Sequence, residues 1–114
     1  MTHKAILIDS TNKTFKVVEI ENFRDIQKQL DCSVFTIATV FEKNEDTLYV
    51  DYEGLLTNPQ HFFEYEDAHQ PFAGKGLLIG CDDEGEDKDV QTSMEEVQSK
   101  VKFYSLAEIR AKIL

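Results

Sequence analysis

The ten residues Cys32–Phe41, CSVFTIATVF, constrain the fold more than any other stretch. They are rich in β-branched and aromatic side chains, which suit a pleated surface packed against neighbours. Phe35, Ile37 and Phe41 fall on one alternating face, Val34, Ala38 and Val40 on the other. A strand apolar on both faces is ordinarily covered on both sides, so this segment is predicted as a central strand. The fold is therefore built around a sheet.

Other short runs supply its partners. Lys4–Asp9 and Thr14–Ile20 flank the polar Ser10–Lys13 and read as an opening hairpin. Asn22 caps a predicted helix over 23–30, with Asp25 near its positive end and Phe23, Ile26 and Leu30 as one apolar stripe. Glu42–Asp46 is a polar turn, after which Thr47–Tyr52 returns as a strand with one wet face. The two leucines of the loop Leu55–Pro59 are expected to tuck inward, and HFFEY, residues 61–65, reads as an edge strand. Glu66–Pro71 is loop, and Gly74-Lys75-Gly76 feeds a short buried strand, Leu77–Cys81. Thr92-x-x-Glu95 and Ser93-x-x-Glu96 are overlapping capping boxes for a helix near 93–100. Val101–Tyr104 is a last strand, and Ser105-x-x-Glu108 caps a terminal helix with Leu106, Ile109 and Ile113 on one face. The order is ββαββ, one or two further strands, then two helices. This is an α+β domain on a mainly antiparallel, strongly bent sheet, and the strand count also allows a small, partly open barrel.

Only one domain fits a chain of 114 residues that has no repeat, low-complexity tract or linker. No apolar run reaches the roughly 20 residues needed to span a bilayer, and the start MTHKAILIDS lacks the apolar core of a secretory signal. The expectation is a soluble cytoplasmic protein. Cys32 and Cys81 each adjoin an apolar segment, as buried free thiols do.

Charge is distributed unevenly. Net charge is −10, yet residues 1–40 balance five acids with five bases. Residues 41–96 carry 16 acids against three lysines, and residues 97–114 one acid against four bases. Such acidity disfavours direct nucleic-acid binding, which needs Lys and Arg to displace phosphate counterions. It favours basic surfaces of other proteins. The densest part is GCDDEGEDKD, which brings together Asp82, Asp83, Glu84, Glu86, Asp87 and Asp89.

That segment is not an EF-hand loop. With Gly85 at the sixth position, the first is Gly80 and the twelfth Gln91, so both anchoring ligands are missing. Gly74-Lys75-Gly76 is not a P-loop either: His69 stands where glycine is required, and Gly76 follows the lysine where Ser or Thr belongs. His61 and His69 lack zinc-site spacing, and Cys81 has no activating basic cluster. No catalytic residue, metal or cofactor is therefore assigned. Tyr49, Tyr52, Phe62 and Tyr65 are aromatic enough to line a cleft for a planar ligand, with ordinary core as the competing role.

The opening hairpin, the helix after Asn22, Leu48-Tyr49-Val50-Asp51-Tyr52-Glu53-Gly54-Leu55-Leu56 and the run from Ala73 to Glu86 together resemble one family. It is a small phage- and plasmid-associated family known only as a domain of unknown function. The resemblance covers most of the chain, to about residue 100, with the segment from Phe103 outside it. It implies a mobile-element origin, a small accessory role and no catalytic residues. The function expected is a non-enzymatic binding module that meets a basic protein through residues 82–89. The alternatives are a small-ligand binder, a metal-assisted hydrolase, and an Sm-like RNA-binding oligomer using Lys13, Lys16, Lys28, Lys100 and Lys102. An exposed apolar edge would support a homo-oligomer.

Overall fold

The computed structural model describes residues 2–56, 58–68 and 70–113. The opening hairpin pairs β1 (His3–Asp9) with β2 (Thr14–Ile20) along their whole length. Asp9 builds the turn, its carboxylate accepting from the backbone N–H groups of Thr11 and Asn12 and from the Asn12 amide. Helix α1 (Phe23–Leu30) starts at a complete capping box. Asn22 accepts from the N–H groups of Arg24 and Asp25, while Asp25 accepts from the N–H of Asn22. The helix stops at Asp31, whose φ of 53° is the left-handed conformation that closes many helices.

The remaining strands are β3 (Phe35–Val40), β4 (Thr47–Asp51), β5 (His61–Tyr65), β6 (Pro71–Ala73), β7 (Lys75–Cys81), β8 (Asp87–Lys88) and β9 (Val101–Ser105). Helix α2 (Met94–Lys100) precedes β9, and α3 (Leu106–Ile113) follows it. The large antiparallel sheet runs β2-β1-β7-β4-β3, with β8 continuing the pairing of β7 where β1 leaves it. The small sheet runs β6-β5-β9. The described strands close no barrel.

The layers follow from the alternation of side chains. Ile6, Ile8, Leu48, Val50 and Leu78 form one face of the large sheet and pack on Phe63, Tyr65 and Phe72 of the small sheet and Val97 of α2. Ala5, Leu7, Leu77 and Ile79 form the opposite face, closed by Ile26 and Leu30 of α1. On the far side of the small sheet, Phe62 and Ala73 pack on Ile109 of α3. The order is thus α1, large sheet, small sheet, α3. A Cβ at Gly76 would stand 2.5 Å from the Phe63 ring, so glycine is what lets the small sheet approach β7 this closely.

Several expectations are corrected. The run Cys32–Phe41 yields β3, an edge strand: β7 holds the centre, bonded to β1 and β4, and Ile37 and Val40 are about half exposed. Composition reports what a strand could pack against, whereas long-range pairing decides its position. HFFEY is the middle strand of the small sheet, not an edge, because Pro71–Ala73 and Val101–Ser105 pair on its two sides. The second face of β4 is not wet, since Thr47 is buried and the Tyr49 ring packs edge-on against Phe35 at 5.2 Å. Phe23 leaves the α1 stripe for solvent, and Leu56, in a 3-10 turn at Gly54–Leu56, points outward. The side chains of Leu55 and Ile113 lie outside the described set. Two short strands were not expected: β6 begins at Pro71, the last residue of the expected loop, and β8 lies within the acidic segment.

Candidate functional site

The acidic segment forms the tip and return of the β7–β8 hairpin. Asp82 organises it: its backbone pairs with Glu86 and Gly85, and its carboxylate accepts from the N–H groups of Glu84 and Glu86, both at 2.9 Å. Gly85 supplies the positive φ of 82° that the turn needs. Asp87 pairs with Cys81 and is half-buried, and burial pushes its carboxyl above the ordinary range, His3 acting against the shift. The Asp89 carboxylate accepts from the N–H of Lys4 at 2.8 Å and lies 3.8 Å from His3. Asp82 and Asp89 thus hold the hairpin together, Asp87 lies in its strand, and Asp83, Glu84 and Glu86 are presented to solvent. Among the described residues, no group of three or more His, Cys, Asp or Glu side chains is placed to hold a metal.

The four aromatics do not share a cleft. Tyr49 packs on the α1 side of the large sheet, Tyr65 is fully buried between the sheets against Phe41, and Phe62 lies beneath α3. Tyr52 stands alone of the four in being exposed. Both cysteines are free. Burial, with Asp51 and Asp31 nearby, raises the Cys32 thiol, and burial, with Asp82, Glu45 and Asp87, raises Cys81 against the pull of Lys88. Raised thiols are poor nucleophiles at neutral pH. His69 lies outside the described residues.

Two features escaped the sequence. The first is Asp46, which is fully buried. Its carboxylate accepts from the N–H groups of Gln91 and Thr92 and from the Thr92 hydroxyl, at 2.6–3.1 Å. Asn44 donates to the same hydroxyl, so the β3–β4 turn is bolted to the approach to α2. Of the overlapping capping boxes, only Ser93 caps, because Thr92 is committed to Asp46. No local signal marks a bond between residues so far apart in the chain.

The second feature is a trough at the other end of β7 from the acidic turn. One part, about 530 Å³, lies between the open edges β3 and β6 and is lined by Ile37, Val50, Tyr52, Leu56 and Phe72. The other part, about 210 Å³, is lined by Asp31, Asp51, His61 and Lys75. Both include Asp51, Gly54 and Ala73 in their walls, so the two parts adjoin. Exposed apolar residues on β3 and after β4 were the available clue, hidden by the expectation that both segments were covered.

Fold and surface together define a class: a small α+β domain with two antiparallel sheets between outer helices, bearing an acidic hairpin. More particularly, the chain belongs to the family described as Domain of unknown function (DUF3846), whose model matches residues 1–102. The resemblance to a domain of unknown function read from the sequence is thereby met, and most of β9 and all of α3 lie beyond the matched span. Neither a curated protein nor a solved structure matches the chain. No helix among the described residues is long and apolar enough to cross a membrane.

Proposed function

We propose that this protein is a non-enzymatic binding module, a small accessory protein of phage-like origin acting in the host cytoplasm. It meets a basic surface on a partner protein through its acidic hairpin, in the simplest case covering that partner's nucleic-acid site. The observation that carries the reading is the bracing of the turn by Asp82, which leaves Asp83, Glu84 and Glu86 exposed on an ordered tip. A fixed cluster of like charge steers encounter with an oppositely charged surface and raises its rate at low salt.

The test compares two triple neutralisations of equal charge. One is Asp83→Asn, Glu84→Gln and Glu86→Gln; the other is Glu19→Gln, Glu21→Gln and Glu53→Gln, all exposed elsewhere. Association with immobilised lysozyme, used as a folded basic probe, is timed at several salt concentrations. The hairpin triple is expected to slow association by up to about tenfold at low salt and to flatten its salt dependence. Equal effects from both triples would mean that only net charge matters, and the reading would fail.

A further inference from the structure

The trough goes beyond that reading and does not rest on it. Of the seven large apolar side chains exposed among the described residues, three line it: Ile37, Tyr52 and Leu56. Scattered exposed apolar residues need no explanation, but a contiguous set beside an open strand marks an interaction surface. The outer edge of β3 pairs with no described strand, and the bordering edge β6 belongs to the other sheet. A chain laid in the trough therefore meets unpaired backbone groups as well as apolar side chains, the two elements of strand addition.

Charge selects the occupant. Asp31 and Asp51 line the polar part of the trough, and Lys75 offsets only one of them. The Cys32 thiol beside them is raised in part by the same two carboxylates. Asp51 already accepts from the N–H of Glu53, which holds its carboxylate in place. A second copy of this chain fits poorly. Each copy carries a net charge of −10, so two acidic rims would face one another.

We propose that the trough docks an extended peptide segment of a partner, apolar at alternating residues and then cationic. The segment adds as a strand to the outer edge of β3. Its apolar side chains lie over Ile37, Val50, Tyr52 and Phe72, and its Lys or Arg enters the pocket lined by Asp31 and Asp51. The seven residues of β7 separate this pocket from the acidic hairpin, roughly 20 Å along the strand, so the two surfaces are independent.

The probe is a fluorescein-labelled synthetic peptide, Val-Thr-Val-Thr-Val-Lys-Arg, with a Glu-Glu ending as its control. Anisotropy measures binding, and amide hydrogen exchange locates it. The expected result is binding of the cationic peptide with new protection of residues 35–40. Asp31→Asn combined with Asp51→Asn, and separately Ile37→Lys, should each weaken it by about tenfold or more, as loss of an anchor does. Val17→Lys, an exposed position on β2, should leave it unchanged, as should the hairpin triple. Asparagine tolerates the left-handed backbone of residue 31, and Ile37 is exposed, so the variants should retain the fold. Absence of binding to the native protein overturns the proposal without any variant. So does equal binding of the acidic peptide, protection confined to residues 82–86, or protection of β3 that rises with protein concentration in the absence of peptide.

Discussion

Replacing Asp46 with alanine should be among the most damaging single changes outside the apolar core. The buried carboxylate accepts from two backbone N–H groups and one hydroxyl, all on residues 91 and 92. Hydrogen bonds to a charged group contribute about 1.5–3 kcal/mol each, and an orphaned buried donor costs about 1–3 kcal/mol. These terms overlap, because the loop can shift and admit water once the anchor is gone. The net loss expected is about 3–5 kcal/mol, two or three such terms less what that relaxation recovers. Unfolding entropy near 2.1 cal/mol/K per residue gives roughly 0.24 kcal/mol/K for 114 residues, so a 4 kcal/mol loss lowers Tm by about 17 °C. Asp46→Asn keeps the shape but turns an N–H₂ toward donors, and should lose about 2–3 kcal/mol. Urea unfolding followed by circular dichroism measures both, and a Thr92→Val cycle should show coupling of about 0.5–3 kcal/mol. A loss under about 1 kcal/mol for Asp46→Ala, with unchanged m-value, would refute the clamp.

Two further effects are expected. Burial raises the folded Asp87 carboxyl above its ordinary value of 3.8, so between those two values the folded chain binds more protons than the unfolded one. Stability should then fall as pH rises through that window, and Asp87→Asn should remove that fall; a urea midpoint series from pH 3 to 7 on both proteins decides it. Gly76→Ala places a methyl group against the Phe63 ring and Leu48, and overpacking of this kind should cost about 1–3 kcal/mol by the same unfolding assay. A neutral Gly76→Ala would mean that the small sheet moves away freely.

Local chemistry was the legible part. The first hairpin, the Asn22 cap, the Ser93 cap and the Ser105–Glu108 box all lie where the sequence placed them. Each joins residues within a few positions, so the chain carries the whole signal. The candidate site was legible only in part. The acidic run is a surface turn, yet Asp82 and Asp89 proved to be its fasteners, because Lys4 comes from the opposite end of the chain. The trough was not read from the sequence, since it lies between edges of two different sheets.

From the sequence alone follow an α+β class, short capped helices, an acidic middle and membership of a family of unknown function. Which strand sits at the centre, which faces stay dry and what the acids hold were settled only by tertiary pairing. Cys32–Phe41 shows why. β-branched and aromatic side chains prescribe an extended backbone wherever it lies, but the hydrogen-bonding groups along its edges are the same in every strand. Only the competition among all strands for those edges put Lys75–Cys81 between two partners and left Phe35–Val40 with one.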